Sequence, residues 1–415
     1  MNTSNPIDPK NIKVEFLPCL NYAMTMGGQK CLEFVEITNP TADDWREVHV
    51  IVSGELIATA ESVLDSVPAG MTLRVTDLDV KPDLDKLREL TESVETAFTL
   101  AVGDTQLTFP LRLLAFDEWP GVGVRPEILG AFVTPNAPQL SRVKMNAAAV
   151  LEKLTGSSAL DEYQTQDPNR VRAQVAAVYE ALRSEGLVYS APPASYEKTG
   201  QRVRLADRVL EEKLGTCMDL SMLFASVLEA CGLHPLLVLQ QGHMYVGCWL
   251  VDQYAPYSVS DDWSFLSKAT ANGISQMVVV EATALTSSEA VAFEKAVEMG
   301  EHHLAADQAK FVLFCDIYRC RMEGIRPLPM KVDGIWQNVG MEHEQATTEL
   351  REMRTVDLGA NKQEQGVTRQ QIWERKLLDF SLRNNLLNIR MGRRCIPFVS
   401  FDIDVLEDHI FDRED

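Results

Sequence analysis

A run of helix-spaced apolar residues that begins at a cysteine constrains the fold of this 415-residue chain more than any other feature. The run extends from Cys217 to Ala230, and Gly232 stands where a C′ glycine would end a helix. Its helix-spaced positions are Leu220, Leu223, Phe224, Val227 and Leu228. The pattern therefore predicts a core helix with Cys217 in its first turn.

Polar residues stand at the ends of the strand-like runs that follow this helix. The runs are 236–239, 245–251 and 277–280, followed by a predicted helix at 288–307 and a last strand at 311–317. His243 precedes the second run, and Glu281 follows the third. If these two strands pair antiparallel, the histidine and the carboxylate lie side by side. Other carboxylates remain alternatives for this acid: Asp252, Asp261 and Asp262.

Cys217, His243 and Glu281 are residue types that nucleophilic catalysis needs. A helix N-terminus and a neighbouring imidazolium both stabilise a thiolate, and a carboxylate beside the imidazole orients it. His243 would accept the proton of Cys217, and the thiolate would attack an amide carbonyl to form a thioester. Water would complete hydrolysis, whereas a second amine would give transamidation. The backbone N–H of Cys217 can supply one oxyanion donor, and Gln201 is a candidate for the second.

Residues up to about 116 carry a different pattern, in which short strand-like runs alternate with turn residues. The runs are 14–17, 31–38, 48–53, 71–75, 96–101 and 108–115. This rhythm is typical of an immunoglobulin-like β-sandwich. After a linker near 118–123, helical spacing appears at 147–154 and 171–187, where Asp167 is the predicted cap. The chain therefore divides into an all-β domain at 1–118 and an α+β domain at 119–330.

The order of cysteine helix, histidine strand and acid strand resembles the transglutaminase-like fold, which is related to papain-type cysteine hydrolases. The matching residues are 215–219 for the nucleophile, Gly242 and His243 for the base, and 280–283 for the acid. Family members commonly carry Asp where Glu281 stands. The resemblance implies a cysteine hydrolase that acts on a protein or peptide amide without a cofactor, preceded by an immunoglobulin-like recognition domain.

Further stretches resemble a group of large bacterial proteins in which an immunoglobulin-like and a transglutaminase-like domain precede a superfamily 1 helicase. The matching stretches are 131–136, 189–196, 200–204, 324–329 and 373–388. The last resembles the start of an uncharacterised helicase-associated domain, which implies a helical start of that domain at 367–415. The polar, weakly periodic stretch before it predicts a linker at 331–366. The sequence holds no GxxxxGK[ST] phosphate loop, so we expect no helicase motor in this chain. The resemblance implies a helicase domain or subunit as partner, in an anti-phage defence system.

Charge separates the C-terminal stretch from the rest of the chain. The net charge of −21 argues against phosphate-backbone binding by most of the chain. Between 368 and 394, however, seven Lys and Arg residues stand against Glu374 and Asp379. The apolar stripe of 370–390 predicts an amphipathic helix with a basic face. A nucleic-acid accessory role through this helix is a third hypothesis, and we expect nucleic-acid contact to be indirect.

The start of the sequence and its cysteines indicate a cytoplasmic location. The first residues lack the pattern of a signal peptide, and no apolar run approaches the roughly 18 residues that a membrane span needs. The eight cysteines form no CxxC pair, which fits a reducing compartment and gives no zinc framework. Cys231 and His234 lack a second ligand pair, and His302 and His303 lie in a predicted helix without HExxH. We therefore expect His302 and His303 on the surface and no bound metal.

Two kinds of function remain open at this level. The leading hypothesis is a Cys-His-acid hydrolase. The rival is a catalytically inactive transglutaminase-like module that binds a protein or peptide and regulates or recruits a helicase. The enzyme requires a reactive and accessible Cys217, whereas the binding module does not.

Overall fold

The computed structural model describes residues 7–193, 196–271, 273–306, 308–332 and 335–337. All of these described residues belong to one compact unit. The predicted helicase-associated start at 367–415, with its basic helix, lies outside the described residues. Most of the predicted linker at 331–366 lies outside them as well.

Two β-sheets form the N-terminal part of this unit. Their strands are β1 (Ile12–Phe16), β2 (Cys19–Leu20), β3 (Leu32–Thr38), β4 (Trp45–Gly54), β5 (Ile57–Val67), β6 (Thr72–Val75), β7 (Lys81–Pro82), β8 (Val94–Val102) and β9 (Thr105–Leu113), with the short helices α1 (Tyr22–Met26) and α2 (Leu84–Arg88). One sheet has the order β1-β3-β6, and the other has the order β2-β9-β8-β4-β5-β7. All pairs are antiparallel except β2 with β9.

The two sheets share one apolar core. Burial along β8 becomes alternating from Phe98, as a strand with one covered face requires. Phe16 of the three-stranded sheet packs edge-on against Phe98 and Phe109 of the six-stranded sheet, with ring centroids 5.2 and 5.3 Å apart. All six predicted strands are present. The immunoglobulin-like topology stays a prediction.

The C-terminal part of the unit mixes helices and strands. Its elements are β10 (Glu118–Trp119), α3 (Leu140–Thr155), α4 (Pro168–Arg183), β11 (Val188–Tyr189), α5 (Tyr196–Thr199), β12 (Gln201–Arg202), α6 (Ala206–Glu212), β13 (Leu214–Gly215), α7 (Cys217–Ala230), β14 (Pro235–Gln240), β15 (His243–Trp249), β16 (Val259–Ser260), α8 (Trp263–Thr270), β17 (Met277–Val280), α9 (Phe293–Ala306), β18 (Phe311–Asp316), α10 (Ile317–Met322), β19 (Met330–Val332) and β20 (Ile335–Gln337). The chain is thus a mixed α/β protein. Apart from Met330, the paired strands β19 and β20 lie in the segment that the sequence predicts to be a linker.

An antiparallel five-stranded sheet of order β16-β18-β14-β15-β17 organises this part. On one face, apolar residues of α3, α4 and α7 pack with those of β15 and β17. On the other face, α8 packs against residues of β14, β17 and β18. Because both faces of the sheet are covered, β14 is buried at every position and is apolar except for Gln240.

The core helix and its caps follow the sequence prediction. α7 begins at Cys217, and its side chains are buried through Leu228. The helix ends before Gly232, whose φ of 77° suits a C′ glycine. The side chain of Asp167 caps α4 by accepting the N–H of Asn169, as predicted. Among the described residues, no helix combines the length and the apolar character needed to cross a membrane.

Candidate active site

A capping box holds Cys217 at the start of α7. The Thr216 hydroxyl accepts the N–H of Asp219 at 3.2 Å, and the Asp219 carboxylate accepts the N–H of Thr216 at 2.9 Å. The same carboxylate accepts the N–H of Arg204 at 2.9 Å and so joins the preceding loop to the helix. Burial raises the pKa of Asp219, while these hydrogen bonds oppose the rise. The capping box does not use the N–H of Cys217.

A tight hairpin positions His243 at the start of β15. Gln240 of β14 pairs with His243, so Gln241 and Gly242 form the turn. Gly242 has a φ of 73°, a conformation that favours glycine. Its N–H donates to the buried carboxylate of Glu197 at 3.3 Å. The turn therefore has a fixed conformation directly before the imidazole.

Glu281 lies beside His243 because β15 and β17 pair antiparallel, as the sequence analysis required. His243 Nε2 and Glu281 Oε2 are 2.6 Å apart. The other carboxylate oxygen accepts the N–H of Thr283 at 2.8 Å and its hydroxyl at 2.6 Å. Both oxygens of this buried carboxylate are therefore engaged. With Nε2 bonded to Glu281, the nitrogen left for a thiolate is Nδ1.

The three residues interact electrostatically. Burial lowers the pKa of His243, but hydrogen bonds and charges from Cys217 and Glu281 outweigh this effect and raise that pKa to about 10. Burial acts to raise the pKa of Glu281, but hydrogen bonds from His243 and His303 prevail and hold it well below its usual range. The site therefore favours an imidazolium next to an ionised carboxylate.

The three alternative candidates for the acid beside His243 lie elsewhere. Asp252 is 4.0 Å from His234 and is largely exposed. Asp262 caps α8 by accepting the N–H of Ser264 at 3.0 Å. Asp261 is exposed. Among the described carboxylates, Glu281 is the one that bonds His243.

His303, which the sequence predicted to lie on the surface, instead contacts the candidate site. It lies in α9, and its Nε2 is 3.3 Å from Glu281 Oε2. Its side chain is 30% exposed, against 22% for that of His243. Spacing along the chain carried no signal for this contact, because α9 reaches Glu281 only through its packing on β17, where the N–H of Glu281 donates to the carbonyl of Ala296.

Two tyrosines flank Cys217, and the sequence analysis assigned neither a role. The hydroxyl of fully buried Tyr196 is 3.5 Å from the Cys217 sulfur. Tyr189 reaches the same sulfur because β11 pairs in parallel with β13, which places Tyr189 beside Gly215. Burial, followed by the charge and hydrogen bond of Cys217, raises the pKa of Tyr189 to about 12. Tyr189 is 42% exposed, whereas Cys217 is 0% exposed.

Gln201, the predicted second oxyanion donor, is buried near Cys217. Its Nε2 donates to the Met218 sulfur at 3.0 Å, one residue along the chain from Cys217. Its Oε1 has no hydrogen-bond partner among the described residues. The side-chain amide is therefore close to the start of α7 and weakly held there.

Comparisons with known proteins leave the family of this chain open. No protein-family model and no curated protein matches it. A matching solved structure is that of "a putative protease" from Parabacteroides distasonis, at 13% sequence identity and a TM-score of 0.18. The match covers 63% of this chain and 47% of that chain, so it spans about half the length of the neighbour. At so low a TM-score the likeness carries no argument.

Proposed function

We propose that this protein is a cysteine hydrolase of transglutaminase-like fold that cleaves a protein or peptide amide through a thioester. One observation carries the proposal: a cysteine at a helix N-terminus interacts with a histidine whose Nε2 bonds a buried carboxylate. The residues occupy the roles of nucleophile, base and orienting acid. Their order along the chain and their elements match the resemblance found in the sequence.

The raised pKa of His243 supports a thiolate–imidazolium resting state. In acylation, the Cys217 sulfur attacks the carbonyl carbon, and the imidazolium gives its Nδ1 proton to the departing amine. A thioester and a neutral imidazole remain. In deacylation, His243 takes a proton from water, the hydroxide attacks the thioester, and the thiolate and imidazolium are restored. Transamidation follows the same path with an amine in place of water.

The start of α7 offers the donors that an oxyanion needs. The backbone N–H of Cys217 belongs to the first turn, where helix N–H groups lack intrahelical acceptors. Gln201 and Tyr196 are the side-chain candidates for the second donor, since both lie next to the nucleophile. The Tyr196 hydroxyl is already in contact with the sulfur, which favours it over Gln201.

Full burial of Cys217 favours a second candidate function. A transglutaminase-like module that only binds a protein or peptide has no need to expose its cysteine. In the enzyme, substrate entry requires Tyr189 to move, because this half-exposed side chain lies against the sulfur. The setting of either function, beside a helicase domain or subunit in a cytoplasmic anti-phage system, rests on the resemblance of the sequence alone.

Alkylation of Cys217 tests the enzyme against the binding module. Wild-type protein and the His243→Ala variant are treated with iodoacetamide at pH 6.5, and each cysteine is quantified by mass spectrometry. We expect Cys217 to react at least about tenfold faster in the wild type, because the imidazolium stabilises its thiolate. His302→Ala is the matched control and keeps the wild-type rate. Equal Cys217 rates in the wild type and His243→Ala would favour the inactive module.

A further inference from the structure

Three potential metal ligands converge at the end of β17. They belong to His243, Glu281 and His303, each of which offers one ligand atom within 4.8 Å of the other two. Each comes from a different element, namely the start of β15, the residue after β17 and the last part of α9. The proposed reaction uses His243 and Glu281 but has no step for His303. A second imidazole on the same carboxylate oxygen therefore calls for another explanation.

The separations suit a small divalent ion. Zn²⁺ binds histidine nitrogen and carboxylate oxygen at roughly 2.0–2.2 Å, so ligand atoms around a tetrahedral ion are about 3.4 Å apart. Glu281 Oε2 and His303 Nε2 are already 3.3 Å apart. His243 Nε2 and Glu281 Oε2 are 2.6 Å apart, the length of a hydrogen bond. An ion that replaces the bonded proton needs this distance to open by about 0.8 Å. The two imidazole nitrogens lie within 4.8 Å of each other and must also adjust to about 3.4 Å.

Neighbouring groups hold the ligands in place. Thr283 binds the second oxygen of Glu281 through its N–H and its hydroxyl, which keeps Oε2 turned to the two imidazoles. Gln240, the hairpin partner of His243, donates its side-chain amide to the carbonyl of His303 at 2.9 Å. Such outer contacts are the ones that fix ligands in metal sites.

We infer that His243, Glu281 and His303 form a binding site for a divalent transition-metal ion of the zinc type. Two imidazoles and one carboxylate match the preference of such ions and do not suit Mg²⁺ or Ca²⁺, which favour oxygen ligands. Three protein ligands leave one coordination position for water. His303 is the ligand that a catalytic pair of His243 and Glu281 would not need.

An ion at this site opposes the proposed reaction, and this consequence rests on the proposed function. The ion occupies Nε2 of His243, and the displaced proton goes to solvent. The single proton of the neutral imidazole then lies on Nδ1. That nitrogen cannot accept a proton from water, and giving its proton to an amine would leave an imidazolate. Metal binding therefore turns the catalytic base into a ligand.

Titration of the full chain with Zn²⁺ tests the site directly. Calorimetry is carried out on the wild type and on His303→Gln, Glu281→Gln and His302→Ala. His303 is partly exposed and Gln replaces Glu281 at nearly equal volume, so the variants are expected to fold, which circular dichroism checks. We expect one ion per chain in the wild type and His302→Ala. Affinity falls at least about tenfold in His303→Gln and Glu281→Gln, since even outer contacts of metal ligands contribute that much.

Two results would overturn the metal site. One is equal Zn²⁺ affinity in the wild type and His303→Gln. The other is loss of the ion in Cys217→Ser with retention in His303→Gln, which would assign binding to the thiolate. The Cys217 alkylation rate of metal-free protein is measured in parallel. A reactive Cys217 without Zn²⁺ binding refutes the metal site alone, and Zn²⁺ binding with an unreactive Cys217 refutes the hydrolase alone.

Discussion

Strands β5 in the N-terminal part and β14 in the C-terminal part differ in how many faces are covered. In β5, the end residues Ile57 and Val67 are buried, and every position between them is exposed or half-buried. In β14, all positions are buried. A sheet covered on both faces resists deformation, and its strand ends are where polar residues of a site can be held. The candidate residues His243 and Glu281 lie at such ends.

Removal of a large buried side chain of α7 is expected to have the largest effect on stability. Phe224 is fully buried and packs near Tyr179, with ring centroids 6.2 Å apart. Phe224→Ala is expected to lower the free energy of unfolding by about 3–5 kcal/mol through lost burial and a cavity. The half-buried Leu64 of β5 is the matched position, and Leu64→Ala is expected to cost about 1 kcal/mol. Urea denaturation measures both, and equal losses would mean that the side chains of α7 and β5 contribute equally to their cores.

Helix caps in the two regions give the next contrast. Asp219→Ala removes a buried cap and leaves the N–H groups of Thr216 and Arg204 without their acceptor, which is expected to cost about 2–3 kcal/mol. Asp83 caps α2 at the surface, and Asp83→Ala is expected to cost about 0.5–1 kcal/mol. Thermal unfolding compares the two. Cys217 alkylation is expected to be slower in Asp219→Ala but not in Asp83→Ala. Equal rates in the two variants would mean that the Asp219 cap does not influence Cys217.

The ionisation of His243 offers a third contrast, between a buried and an exposed ion pair. Its pKa is raised from 6.5 to about 10, so protonation of the imidazole contributes its full stabilisation at pH 6.5 and loses it as the pH rises through 10. Glu281→Gln is expected to lower this pKa by about one to two units, which imidazole NMR measures. The exposed pair of Arg74 with Glu36 is the control.

The pKa of Glu36 is lowered by its hydrogen bond to Arg74, so that pair contributes stability above the usual carboxyl range and loses it in acid. Arg74→Ala is therefore expected to leave the pH dependence of stability between 6.5 and 10 unchanged. In Glu281→Gln the decline over this window becomes smaller. A His243 pKa that is the same in the wild type and Glu281→Gln would show that the carboxylate does not control the imidazole.

Apolar continuity determined which elements the sequence could predict. α7, β14 and β17 stand out because both faces are buried, so most residues of α7 and nearly all residues of the two strands are apolar. β5 was missed, since exposure of one face permits Ala, Glu, Ser and Asp along most of its length. The predicted contact of His243 with Glu281 depended on antiparallel pairing of β15 and β17, and the two strands do pair antiparallel.

Long-range packing limited how much of the candidate site could be predicted from the sequence. Cys217, His243 and Glu281 could be proposed because strand ends and a helix start are visible in the sequence. His303 could not, because its position depends on how α9 packs against β17. Tyr189 could not either, since its strand pairs with β13 over two residues and has no periodicity to detect.

Access to Cys217 gives the last and smallest contrast, between the buried sulfur of Cys217 and the half-exposed side chain of Tyr189. Tyr189 interacts with the sulfur while its own side chain meets solvent. Tyr189→Ala is therefore expected to raise the Cys217 alkylation rate a few-fold, because the sulfur becomes accessible without a side-chain motion. Tyr257 is similarly exposed, and Tyr257→Ala is expected to leave the rate unchanged. If Tyr189→Ala slows the reaction instead, Tyr189 activates the thiolate and does not merely cover it.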